Sequence, residues 1–288
     1  MFMGIPYAKV DENNPFGSAK PQPNFEGVFD AYDDSAICPQ IEEFNHTITG
    51  TLDCLHINVY VPDSAKSPNK LPVLVWIYGG SFSIGFSGRY LYGPKYLIRH
   101  DIILVTLNYR VGPYGFMCLD TPEVPGNTGV KDQKLALEWI KDNIEAFAGD
   151  PDKITIYGMS AGGMTVDLHY MYGDNNIFDK MIMHSGTALT PGIIGTPDTT
   201  AALKLAKYLG LDTDDNNEAL NFLAAVDPLQ LIASNQALGL SYGLCVEKEF
   251  DGVERFVTEH PLNVIGPDAS NKSVLLAYNR DELQVVFA

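Results

Sequence analysis

The chain has 288 residues, enough to bury one substantial core, and length alone leaves open one large domain or two small ones. Its 45% hydrophobic, 11% aromatic and 19% charged content excludes a disordered chain. A formal charge of -17 surrounds it with negative field, which disfavours phosphate backbones and anionic membrane surfaces, so no nucleic-acid role is expected.

The segment Lys9 to Asn24 is turn-rich, with Asn13-Asn14-Pro15 and Pro21-Gln22-Pro23 reading as loop. Cys38 and Cys54 then flank a short polar stretch, and a bridge between them would close a loop of the size seen in secreted proteins. Inside it, Asn45-His46-Thr47 is an N-glycosylation sequon, and Asn271-Lys272-Ser273 is a second. With Cys118 and Cys245 the cysteines number four. None forms a CxxC pair or a Cys/His cluster with zinc spacing, so no metal is expected. Loop cysteines and a sequon favour an extracellular, secreted setting. No run approaches the roughly 18 to 20 apolar residues of a membrane span, and MFMGIPYA lacks the features of a signal peptide.

Leu55–Val61 alternates and reads as a strand. Continuous apolar runs follow at 73–78, 102–107, 153–157, 180–183 and 274–278. Such runs suit strands covered on both faces of a parallel or mixed sheet. Val130–Phe147 reads as a helix, with Leu137, Ile140, Ile144 and Phe147 at three- and four-residue steps and Gly149-Asp150-Pro151 as its terminating turn. Strands alternating with helices predict an α/β architecture with a mostly parallel central sheet flanked by helices. Residues about 190–270 read as mostly helical and irregular, with helices at Ala201–Leu209 and Glu218–Ala225, long enough for a cap over the sheet edge.

The sharpest local signal is Gly158-Met159-Ser160-Ala161-Gly162, between the strand KITIY and a stretch that can be helical. A bare GxSxG is weak, but strand-turn-helix is the setting of a nucleophile elbow. Ser160 would stand on a strained turn at the sheet's C-terminal edge, and glycines at 158 and 162 would let strand and helix backbones approach. Ala161 would offer its N–H to a developing oxyanion. Upstream, Tyr78-Gly79-Gly80-Ser81-Phe82 directly follows the run VLVWIY, and its small residues suit a second pair of amide donors at Gly80 and Ser81.

Taken in order, GIPYA (4–8), DCLHINVYVP (53–62), PVLVWIYGGSF (72–82), NYRVGPYGF (108–116), GNTGVKDQKLALEWIKDNIEAFAGDP (126–151) and GMSAGG (158–163) resemble the type-B carboxylesterase/cholinesterase family. Insect carboxylesterases and juvenile-hormone-esterase-like members are the nearest in pattern. The resemblance implies an α/β-hydrolase fold over a single domain, 1–288, incomplete at its C-terminal part. It implies Ser160 as nucleophile, Gly80, Ser81 and Ala161 as oxyanion donors, and a Cys38–Cys54 disulfide. AYNRDEL (277–283) is similar to the family's strand-end GxNxDEG, which makes Glu282 the triad acid although Leu283 stands where the family has glycine.

In α/β-hydrolases the triad runs serine, acid, histidine, yet no histidine follows Glu282. His46, His56, His100, His169, His184 and His260 all precede it. The resemblance therefore implies a chain cut at both ends. The function expected is carboxylic ester hydrolysis through a serine acyl-enzyme on hydrophobic esters, without cofactor, and inactive without the histidine segment. The alternative is a catalytically silent hydrolase-fold protein used for binding or adhesion. Met159 stands where cholinesterases commonly carry an acidic residue, which gives little reason for choline-like substrates.

Overall fold

A computed structural model describes residues 1–65, 69–174, 176–264 and 272–282. Asn271 of the second sequon and Leu283 lie outside these. Among the described residues the central sheet has seven strands: β1 (Phe2–Pro6), β2 (His56–Tyr60), β3 (Leu71–Ile77), β4 (Ile103–Leu107), β5 (Gly149–Met159), β6 (Lys180–His184) and β7 (Ser273–Ala277). Their spatial order is β1-β2-β4-β3-β5-β6-β7. The β1–β2 and β2–β4 pairings are antiparallel, and the remaining four are parallel.

The inner strands form because their side chains find cover on both faces. Every residue of β4 is buried, and Val75, Ile77, Ile154 and Ile156 on neighbouring strands are fully enclosed. Each such side chain contributes roughly 1.5–3 kcal/mol when removed from water. Helices α1 (Thr128–Asn143) and α2 (Ala161–Tyr172) contribute Val130, Leu137, Ile140, Val166 and Leu168 to the same core. Helices α3 (Ala201–Tyr208), α4 (Asn216–Ala224) and α5 (Pro228–Ala237) bury their apolar faces in a second cluster, together with Phe16, Tyr114, Met117 and Val124. Asp215 and Asp227 cap α4 and α5 by accepting hydrogen bonds from first-turn amides.

Two buried ion pairs tie α1 down. Arg110, in the loop after β4, grips Asp132 through Nε and Nη2 at 2.8 and 2.7 Å. Its Nη1 donates to the carbonyls of Pro15 and Gly17, both at 2.8 Å. Lys131 pairs with Glu247 at 2.5 Å, and Asn127 donates to the same carboxylate.

The structure departs from the sequence reading at five places. The helix expected through Phe147 ends at Asn143, continues as a 3-10 turn over Ile144–Phe147, and closes on Ala148 at φ 64°. Gly149-Asp150-Pro151 is then the start of β5 rather than a turn, because Gly149 pairs with Leu71. The apolar run of β7, expected under cover, is the outermost described strand, and Val274, Leu275 and Leu276 stay 48%, 55% and 51% exposed. Helix α5 lies within the stretch read as mostly helical but was not singled out there. Cys38 and Cys54 are bonded, with Cα atoms 5.0 Å apart, and a second, unexpected disulfide joins Cys118 to Cys245. Among the described residues no helix is long and apolar enough to cross a membrane.

Candidate active site

Ser160 sits between the end of β5 and the start of α2, with φ 54° and ψ -125°. Side-chain-bearing residues avoid this conformation, so it persists only where the surroundings fix it. Its N–H donates to the carbonyl of His184 at 2.8 Å, and its own carbonyl accepts from Met164 at 2.9 Å. The flanking glycines are required by contact distance. A Cβ on Gly158 would lie 2.2 Å from the Gly162 carbonyl oxygen, and one on Gly162 would lie 2.2 Å from that of Ile77. Ser160 itself is half-buried, beside the exposed Met159.

The loop after β3 passes directly over this turn. A Cβ on Gly79 would come within 2.5 Å of the Met159 carbonyl oxygen and 3.0 Å of the Ser160 Cβ. Gly80, Ser81 and Phe82 then take φ of 127°, 52° and 61°, three successive left-handed residues. Local backbone hydrogen bonds use the N–H groups of Ser83, Ile84, Ser160 and Met164. Those of Gly80, Ser81 and Ala161 have no backbone acceptor outside helices and strands among the described residues. Ala161 opens α2, whose first-turn amides lack intrahelical partners and carry the positive end of the helix dipole. Phe82 packs against Phe116 at 4.9 Å between ring centres, which fixes the loop from behind.

Glu282 follows β7 and lies exposed. Its Oε1 accepts from the Asn279 N–H and from the Ser185 hydroxyl, the latter at 2.7 Å. The Asn279 amide first, and the Ser185 hydroxyl second, hold the carboxyl below the usual glutamate range. Ser185 was missed by the sequence reading. It directly follows β6, and the register Met183 to Gly158 and His184 to Met159 places it level with Ser160. Its N–H donates to the carbonyl of Ala277 at 2.8 Å, and a Cβ on the next residue, Gly186, would meet the Ser160 carbonyl oxygen at 2.5 Å. One short loop thus joins the elbow to the carboxylate.

Four of the six histidines are engaged elsewhere. His184 Nδ1 lies 3.0 Å from the Tyr157 hydroxyl, as local packing would have it. His169 is buried on α2 with Nε2 3.0 Å from Gln133 Oε1. Burial, and then the Lys134 charge, lowers its pKa to about 3. His56 lies 3.4 Å from Asp53, and its pKa is lowered chiefly by burial. His260 caps a short 3-10 turn, while His46 and His100 are exposed. None of these side-chain contacts involves Ser160. Asn45 is exposed on the turn between the short strands Gln40–Ile41 and Ile48–Thr49.

The Carboxylesterase family model matches residues 1–288. Bile salt-activated lipase of Mus musculus is 38% identical over 259 residues, covering 86% of this chain and 41% of the relative. Esterase B1 of Culex pipiens is 37% identical over 242 residues, covering 82% and 44%. A crystal structure of juvenile hormone esterase from Manduca sexta, with OTFP covalently attached, superposes with a TM-score of 0.80 at 30% identity, over 91% of this chain and 52% of that one. The chain therefore spans about half, or somewhat less, of the length of these relatives. On sequence and sheet order alike, it has the α/β-hydrolase fold and belongs to the carboxylesterase family.

Proposed function

We propose that this chain carries the nucleophile, oxyanion donors and acid of a carboxylic ester hydrolase that works through a serine acyl-enzyme. Ser160 attacks the ester carbonyl, and the amides of Gly80, Ser81 and Ala161 receive the tetrahedral oxyanion. Glu282 orients the imidazole that serves as base. The observation that carries this reading is the elbow: a serine at φ 54° under a glycine loop whose amides are uncommitted. Exposed Met159 and the neighbouring Phe82 favour a hydrophobic ester. Residues 1–288 act as one hydrolase unit, with the helices of about 190–270 as a cap-like layer. Two disulfides and the exposed Asn45 sequon support a secreted, glycosylated protein.

A serine hydroxyl without a positioned imidazole is a weak nucleophile, and loss of the base costs several powers of ten in rate. The 288 residues alone are therefore expected to turn over esters very slowly. Among the described residues no histidine side chain contacts Ser160, which favours a second reading, a hydrolase-fold binding protein without catalysis. Quenched mass spectrometry after mixing with 4-nitrophenyl butyrate separates the two. Slow deacylation should let a butyryl adduct accumulate on Ser160 and vanish in Ser160→Ala. No adduct on folded protein would favour the silent reading.

A further inference from the structure

The loop that follows β6 lies along α2, the helix that opens next to Ser160. At its head the His184 carbonyl accepts the Ser160 N–H at 2.8 Å. A Cβ on Gly163 would come within 3.0 Å of the His184 carbonyl oxygen and 2.9 Å of that of Gly186, so the loop passes close over the first turn of α2. One turn further along the helix, Asp167 Oδ2 accepts the Ala188 N–H at 2.8 Å. Helix and loop are therefore tied at two points, the backbone of Ser160 and the side chain of Asp167.

The same loop holds the carboxylate of the site. Between the two ties stands Ser185, whose hydroxyl donates to Glu282 at 2.7 Å. The loop's own hydrogen bonds, from the Thr187 N–H to the Thr190 hydroxyl and from the Leu189 N–H to that of Thr187, close its turn without fixing it to the helix. Ala188 is buried, so its N–H loses its acceptor and finds little water if the Asp167 carboxylate is removed. Asp167 itself is half-buried. Burial pushes its carboxyl pKa up, opposed by the Ala188 amide.

We propose that Asp167 is a positioning residue for the ester hydrolysis inferred above, on which this role rests. It braces the loop of Ser185 against the helix of Ser160, and so sets Glu282 at the separation from the nucleophile that a bridging imidazole needs. Its side chain acts through the Ala188 amide and touches no reacting atom.

The rate of Ser160 phosphonylation by a fluorophosphonate, with and without added imidazole, tests this in the 288-residue chain. Imidazole aligned by Glu282 gives the acceleration, so the ratio of the two rates reports the placement of the acid. Asp167→Ala puts a good helix former in mid-helix, so the fold should hold. It should lower the ratio about tenfold, since a misplacement of about 1 Å can cost about 100-fold. Asp167→Asn, whose side-chain oxygen can accept the same amide, should restore it. Glu282→Gln should lower the same ratio, and adding Asp167→Ala should lower it no further, because both changes act through one carboxylate. Amide hydrogen exchange gives a readout free of chemistry: the Ala188 and Ser185 N–H groups should lose protection in Asp167→Ala and regain it in Asp167→Asn, with unchanged circular dichroism. An unchanged ratio, additive losses in the double variant, no rescue by asparagine, or unchanged exchange at Ala188 would overturn the proposal. No label on the unaltered chain would refute the hydrolase reading and this role with it, whereas those failures in a chain that does label refute this role alone.

Discussion

Asp132→Asn offers the most quantitative test of how this fold is held. Both side chains of the Arg110–Asp132 pair are fully buried, and the carboxylate accepts two guanidinium N–H groups and the Arg110 backbone N–H. An amide of the same shape keeps one acceptor but turns an NH₂ group toward another donor, and it leaves the guanidinium charge uncompensated. Breaking a buried pair in this way costs about 3–5 kcal/mol. The variant should therefore lose a large share of a typical stability of about 5–15 kcal/mol. In urea, with a slope near about 3 kcal/mol/M, the unfolding midpoint should fall by about 1–2 M. The control is Arg110→Met with Asp132→Leu, which removes both charges and should recover part of the loss. The carbonyls of Pro15 and Gly17, bereft of their Arg110 donors, limit that recovery. A double variant less stable than Asp132→Asn would refute the uncompensated-charge reasoning.

Gly162→Ala should strain the elbow, since its Cβ would lie 2.2 Å from the Ile77 carbonyl oxygen and 2.6 Å from that of Tyr78. Overpacking of this kind costs about 1–3 kcal/mol, readable as a lowered Tm. Unchanged Tm would mean the strand and helix part easily. His169 should contribute to acid sensitivity. Its folded pKa near 3 lies below the ordinary value near 6.5, so the unfolded chain binds the extra proton between these pH values. Stability should then fall by about 1.4 kcal/mol per pH unit as pH drops through that window, and His169→Gln should flatten the slope by that amount in denaturation curves. The two disulfides should differ in worth. They span 127 and 16 residues, and loop-closure entropy makes Cys118–Cys245 the larger by about 2 kcal/mol. Comparing Cys118→Ala/Cys245→Ala with Cys38→Ala/Cys54→Ala by denaturation checks the order.

The parts of the fold legible in sequence were those with local causes. Strands announced themselves as β-branched runs, and the serine elbow by its glycine spacing, although only the need for Gly158 is set locally, by the Gly162 carbonyl, while Gly162 answers to the distant carbonyls of Ile77 and Tyr78. Where pairing across the chain decided the outcome, local reading failed. Gly149-Asp150-Pro151 has turn chemistry but is drawn into β5 by Leu71. Helix α5 hides behind polar Gln230, Asn235 and Gln236, and what holds it is burial of Leu231 and Ile232 in a distant cluster, with Asp227 as cap. The Cys118–Cys245 bridge crosses 127 residues with no local mark. In the candidate site, Ser185 is an ordinary serine until strand register sets it beside the elbow, where its hydroxyl reaches Glu282.

The central claim is that Ser160 is presented as a nucleophile to uncommitted amide donors. Peptide mapping after treatment with a fluorophosphonate, with imidazole added as an external base, reads this directly. A phosphonyl group on Ser160 is expected, accelerated by imidazole and absent from Ser160→Ala. A folded protein that stays unlabelled there, or takes the label at another serine at the same rate, would contradict it.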